Sequence, residues 1–119
     1  MRVLLVDDEE ELVATLSERL SYREINADWV TSGLEALEMA EKYEYDIAVL
    51  DVKMPGISGC ELKKSLQDKH PAMKYIFLTG HGSEDDFKSC TEEAGAEYYL
   101  VKPVNIDSLI KKMNEVIGS

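Results

Sequence analysis

Five polar positions stand where chemistry could use them. Asp7 and Asp8 follow the apolar run Val3 to Val6, Asp51 follows Ile47 to Leu50, Thr79 follows Tyr75 to Leu78, and Lys102 follows Tyr98 to Val101. Gly80 comes directly after Thr79. Brought together, these residues supply three carboxylates, a hydroxyl, an ammonium and a position without a side chain. Carboxylates crowded together raise one another's pKa unless a counter-charge is present. A hard cation such as Mg²⁺ meets that need, since it is held by one or two carboxylates together with water and phosphate oxygens. A carboxylate can also act as a nucleophile and become an aspartyl-phosphate. In such a cleft Lys102 would neutralise a transferred oxygen and Thr79 would donate a hydrogen bond to another, which is the positioning and charge neutralisation that phosphoryl transfer requires.

Taken singly, each residue has a simpler reading. Asp8 with Glu11 fits a helix N-cap, Thr79 a turn residue and Lys102 a surface lysine. Asp51 is harder to dismiss, because a charge directly after an apolar run is partly buried. The joint placement favours chemistry, and it depends on the elements that would carry these residues.

Those elements are legible as patterns. Five short apolar or β-branched runs, Val3 to Val6, Ala27 to Val30, Ile47 to Leu50, Tyr75 to Leu78 and Tyr98 to Val101, read as strands. Three of them are almost continuously apolar, as expected of strands covered on both faces. Between them lie segments of helical period: Leu12, Val13, Leu16 and Leu20 share one face, as do Ile106, Leu109, Ile110, Met113, Val116 and Ile117. Ser32 with Glu35, and Ser58 with Glu61, fit the capping box. Ser83 and Asn105 are N-cap candidates for the last two helices, Gly95 would close the face of Phe87, Cys90 and Ala94, and Gly118 would stop the final helix. Strand and helix thus alternate five times, which implies an α/β fold, a (βα)5 doubly wound parallel sheet with helices on both faces. Ligands of such sheets bind beyond the carboxyl ends of the strands, where the polar residues stand.

Composition bounds the rest. A chain of 119 residues makes one domain, 1–119, with no internal repeat or linker-like stretch. A formal net charge of −11 repels a phosphate backbone and speaks against direct nucleic-acid binding by this domain. No stretch reaches the roughly 20 apolar residues of a membrane span, and the N-terminal apolar run is too short for a signal peptide, so a cytoplasmic location is expected. Cys60 and Cys90 form no C-x-x-C pair and are expected as reduced thiols.

The motifs LLVDDE at 4–9, VLDVKMPGISG at 49–59, LTGHGS at 78–83 and YLVKP at 99–103 resemble those of bacterial two-component response regulator receiver domains, in order and over essentially the whole chain. The resemblance implies a flavodoxin-like five-stranded parallel sheet of strand order 2-1-3-4-5. It implies Asp51 as phospho-acceptor. Asp8, Asp51 and the Lys53 backbone carbonyl are then ligands of Mg²⁺ (or Mn²⁺), with Asp7 acting through a water of the ion's shell. Lys102 would pair with the phosphoryl group, with a cis bond to Pro103, while Thr79 turns inward to it and Gly80 leaves room. Tyr99 matches the family's switch aromatic; read plainly it is a half-exposed strand tyrosine. Lys53 and His81 stand where the family tunes phosphate lifetime. Implied partners are a sensor histidine kinase or histidine phosphotransfer protein and an output domain or effector, transcriptional in one reading. The output surface would involve Lys88, Tyr99, Lys111 and Lys112, with phosphorylation-dependent homodimerisation a further option.

Three other readings compete with this signalling switch, which is not an enzyme in the ordinary sense. An aspartate-nucleophile phosphohydrolase would place a second Asp two residues after the first, where this chain has Lys53. A nucleotide or flavin carrier would want a glycine- or hydroxyl-rich loop after the first strand, where Asp7 and Asp8 stand. A degenerate docking receiver would lack the acidic pair, Asp51 or Lys102, and all are present.

Overall fold

The computed structural model describes residues 1–80 and 98–118. Five strands form one sheet: β1 (Arg2–Val6), β2 (Asn26–Val30), β3 (Ile47–Asp51), β4 (Lys74–Thr79) and β5 (Tyr99–Val101). All neighbours are parallel and the order is β2-β1-β3-β4-β5, the order implied by the resemblance. Four helices are described: α1 (Glu10–Ser21), α2 (Gly33–Lys42), α3 (Gly59–Lys69) and α4 (Ile106–Ile117). The helix expected between β4 and β5, with Ser83, Phe87, Cys90, Ala94 and Gly95, lies outside the described residues.

The runs in β1, β3 and β4 are almost continuously apolar because both faces of these strands are covered. Leu4 and Val6 of β1 and Ala48 and Leu50 of β3 pack with Ala36 and Ala40 of α2 and Leu62 and Leu66 of α3. The alternate residues, Val3, Leu5, Ile47 and Val49, pack on the other face with Val13, Leu16 and Leu20 of α1 and Leu109 and Met113 of α4. The period-2 alternation of a strand thus serves two cores at once. Ile117 is the exception on α4: it falls on the apolar face by sequence but is exposed at the last turn.

Ser32, Ser58 and Asn105 cap α2, α3 and α4, their side-chain oxygens accepting from the backbone N–H of Glu35, Glu61 and Ser108. The reading of Asp8 as the cap of α1 is corrected. Glu9 is the N-cap residue, and no side chain makes a capping bond there, so Asp8 is left free for the cleft. Cys60 is disulfide-bonded, not the reduced thiol expected, with its partner outside the described residues. The redox-compartment argument concerns where disulfides persist and cannot say which sulfurs a fold brings into bonding range.

Two backbone features need comment. Gly56 has φ 78° in the loop from β3 to α3, the left-handed region that glycine enters without strain. Glu24 has φ 61° after α1, where Ile25 N–H donates to Leu20 O at 3.0 Å and Glu24 N–H to Ser21 O at 3.1 Å. That is a Schellman closure with a glutamate in the place glycine normally takes.

Candidate functional site

The register of the sheet sets the site. Val6 pairs with Leu50, Asp51 with Leu78, and Thr79 with Val101, so the four carboxyl ends lie in line. Just past them the backbone stays tied: Asp7 N–H donates to Val30 O, Val52 N–H to Leu78 O and Lys102 N–H to Thr79 O. Asp7, Asp8, Asp51, Thr79 and Lys102 are therefore held at one sheet edge by main-chain bonds rather than by a flexible loop.

The cleft at this edge measures about 530 Å³ and is lined by Asp8, Glu9, Asp51, Lys53, Gly80 and Lys102, with Leu12 and Pro103 supplying apolar wall. Asp7, Asp8 and Asp51 each present a carboxylate oxygen within 4.8 Å of the other two. Asp7 is 0% exposed and Asp51 4%, whereas Asp8 is open to solvent. The Lys102 ammonium lies 2.8 Å from Asp7 Oδ2, 2.8 Å from Glu9 Oε1 and 3.4 Å from Asp51 Oδ2. Lys53 N–H reaches Asp51 Oδ1 at 3.4 Å and Glu9 N–H reaches Asp7 Oδ1 at 2.9 Å.

The charges respond to this crowding. Burial, then the repulsion of Asp7, pushes the Asp51 carboxyl up to about 7, and Lys102 with the Lys53 N–H only partly offsets them. Asp7 is also raised, chiefly by burial, against the pull of Lys102. Burial works against the Lys102 ammonium, but Asp7, Glu9 and Asp51 outweigh it and hold its pKa above the ordinary lysine value. One lysine does not satisfy the three aspartates. Among the described residues Asp7 Oδ2 meets the Lys102 ammonium as a 2.8 Å ion pair and has no hydrogen-bond donor besides. An orphaned buried carboxylate oxygen beside two further carboxylates, one facing solvent, suits a hard divalent cation with its water shell.

The remaining positions are less uniform. Thr79 is buried, and its Oγ1 donates to Leu100 O over a long 3.4 Å. A Cβ at Gly80 would only touch the Lys102 side chain at 3.6 Å, so the glycine keeps the approach open without being sterically compelled. The Lys102–Pro103 bond is cis. Tyr99 is 46% exposed on β5, and Val101 beside it is more exposed still. Lys111 is exposed on α4, while the Lys112 ammonium lies 3.1 Å from Glu115 and 6.0 Å from the Tyr98 ring centre. His81 and Lys88 lie outside the described residues. Glu9 is the residue that spacing did not single out. The unbroken acidic run Asp7 to Glu11 was its only signal, and that run says nothing of which carboxylate turns into the cleft.

Comparison with known proteins agrees with this geometry. A profile of the response regulator receiver domain family matches residues 3–114. The transcriptional activator protein IrlR of Burkholderia pseudomallei is 33% identical over 117 residues, 98% of this chain and 50% of that protein. The two-component response regulator PhoP of Pseudomonas aeruginosa is 33% identical over 98% of this chain and 52% of its own length. The chain thus spans about half the length of these curated relatives. Among solved structures, the chemotaxis protein CheY4 of Vibrio cholerae superposes with a TM-score of 0.87 at 28% identity, covering 97% of each chain. A response regulator of Burkholderia pseudomallei, solved with a phosphorylated aspartic acid, a calcium ion and citrate, gives 0.82 at 28% identity over 93% of this chain and 65% of its own.

Proposed function

The chain belongs to the response regulator receiver domain family, and from that membership we propose that it is the phosphate switch of a two-component system, with Asp51 as its phospho-acceptor. The observation that carries the reading is Asp51 itself, a carboxylate 4% exposed at the end of β3, beside two more aspartates and 3.4 Å from Lys102. An unmodified structural aspartate would not be buried there against its own kind.

In this reading an Asp51 oxygen attacks the phosphorus of a phosphohistidine on a sensor kinase or histidine phosphotransfer protein. The O–P bond forms as the P–N bond breaks, and the imidazole leaves with the electron pair. Asp8, Asp51 and the Lys53 backbone carbonyl would hold Mg²⁺ or Mn²⁺, with Asp7 outside the direct shell. Bound there, the cation neutralises charge on the phosphoryl oxygens. The phosphorylated aspartic acid and calcium ion of the Burkholderia structure support this assignment by likeness. Lys102 donates to one phosphoryl oxygen. Thr79 exchanges its long bond to Leu100 O for another, while Gly80 leaves the approach clear. Tyr99 then follows Thr79 and buries its exposed ring, converting a charge of about −1.5 to −2 into a change of surface.

The domain, residues 1–119, is read as a signalling switch rather than an enzyme with a turnover substrate, and it is placed in the cytoplasm. Among the described residues no helix is long and apolar enough to cross a membrane. IrlR, named as a transcriptional activator, is about twice as long as this chain, which supports an output domain or effector acting in transcription. The output surface would be that of Tyr99, Lys111 and Lys112, with Lys88 outside the described residues, and phosphorylation-dependent homodimerisation would act through it. Direct grip on nucleic acid by this acidic domain is not part of the proposal.

The test is incubation with Mg²⁺ and acetyl phosphate, read by intact mass. One added phosphoryl group is expected, and it should be absent in Asp51→Asn. No addition, or addition that persists in the variant, refutes Asp51 as acceptor. Beryllofluoride should change the Tyr99 ring signals in an NMR spectrum, and identical spectra with and without it refute the aromatic switch.

A further inference from the structure

Glu9 starts α1, yet its carboxylate makes no capping bond there. A capping side chain is worth about 1 kcal/mol to a helix, and this residue has turned away from that role. Its Oε1 reaches the Lys102 ammonium at 2.8 Å instead. An ammonium has three N–H groups. Asp7, Glu9 and Asp51 all stand within 3.4 Å of it, so three anions surround the ammonium before any phosphoryl group arrives, and among the described residues Glu9 is the one that accepts an aligned hydrogen bond from it.

The three claimants differ in how readily they can let go. The Asp7 side chain is 0% exposed, and its other oxygen is held by the Glu9 N–H at 2.9 Å. Asp51 is the group to be modified. The Glu9 side chain is 63% exposed, so water can take over its carboxylate with little loss. A phosphoryl oxygen that needs a donor from Lys102 can therefore obtain it at the expense of Glu9 alone.

We propose that Glu9 is a positioning residue acting through Lys102: its carboxylate is an internal anion that holds the ammonium in the unmodified cleft and yields it when a phosphoryl group is on Asp51. The proposal rests on the phospho-acceptor reading of Asp51. It gives Glu9 a definite sign, because an anion that must be displaced weakens the binding of the anion that replaces it. A charge-assisted pair with one exposed partner shifts such an equilibrium by about twofold to fivefold.

The test uses the whole chain, Mg²⁺ and beryllofluoride, with affinity read by NMR or calorimetric titration in the wild type and in Glu9→Gln. The amide keeps the shape and removes the charge, so the variant should bind beryllofluoride about threefold more tightly. The gap should narrow as salt is raised, since an exposed pair is screened. In the metal-free protein the Lys102 ammonium protons should exchange with water faster in the variant, a change that a purely structural role for Glu9 would not produce. If the wild type binds and Glu9→Gln binds equally or more weakly, Glu9 is not a displaced anion, and Asp51 remains the acceptor. If the wild type binds no beryllofluoride, both readings fall.

Discussion

Removing the Asp51 charge should stabilise the metal-free fold. In the folded chain this carboxyl is pushed up to about 7 by burial and by Asp7, against an ordinary value of 3.8. Above pH 7 the ionised group is thus held in an environment that prefers it neutral. At about 1.36 kcal/mol per pH unit, a gap of roughly three units places the limit near 4 kcal/mol. Lys102 would lose one of its three anionic neighbours, so Asp51→Asn should gain about 2–4 kcal/mol at pH 8. Urea unfolding in EDTA reads this directly, as a higher midpoint at unchanged slope. The pH dependence carries the sign. With the folded value raised, the folded chain keeps a proton that the unfolded chain releases between about pH 3.8 and 7. The Asp51 contribution is most favourable below that window and is lost as pH rises through 7, and the Asn variant should lack that decline. Mg²⁺ should narrow the difference or reverse it, because a ligand of the folded state stabilises only the chain that binds it. A metal-free Asp51→Asn no more stable than the wild type at pH 8 would refute the view of an electrostatically strained cleft.

Two further substitutions probe how the site is carried. At Gly59 a Cβ would overlap the backbone carbonyl oxygen of Asp51, and the Gly59 N–H also donates to Val52 O at 3.1 Å. Because the obstacle is backbone, Gly59→Ala should lower stability by about 1–3 kcal/mol in chemical denaturation, and an unchanged midpoint would disprove the close approach. Glu24 occupies the left-handed position of the α1 closure with φ 61°, so Glu24→Gly should raise the midpoint by the equivalent of about 1 kcal/mol, and a fall would show that the strain is absent.

The strands and the two-sided packing were legible because burial on both faces leaves no choice but continuous apolar runs: Val3 to Val6 and Ile47 to Leu50 could serve little else. Ser32, Ser58 and Asn105 were legible because a hydroxyl or amide three residues before its backbone partner is a local arrangement that needs no knowledge of the fold. The edge-on assembly of Asp7, Asp8, Asp51, Thr79 and Lys102 followed from topology, since parallel strands must end on one side. What escaped notice depends on tertiary choices. Asp8 and Glu9 are both acidic and adjacent; which one starts α1 and which one turns toward Lys102 is decided by the tie between Glu9 N–H and Asp7 Oδ1. Glu24 carries no glycine signal, because the helix end is forced by the return of Ile25 to the core rather than by local preference. The disulfide at Cys60 likewise depends on approach in space.

These choices share a logic. Asp51 and Asp7 are buried without a matching set of donors, and such an arrangement persists only if the surrounding structure holds it in place. The main-chain bonds from Asp7 to Val30, Val52 to Leu78 and Lys102 to Thr79 do so, because each polar residue can relax only by breaking the sheet edge. The cleft is then an incomplete ion cluster: among the described residues four carboxylates, counting Glu9, gather about the Lys102 ammonium. A divalent cation and a phosphoryl group have the charges and oxygen geometry to complete it in turn. The long bond from Thr79 Oγ1 to Leu100 O connects that completion to β5, where Tyr99 stands at the surface. A site satisfied in its resting state would have no free energy to pass along this path. The unsatisfied carboxylates are accordingly what would allow a modification at one aspartate to act on a surface at the sheet's edge.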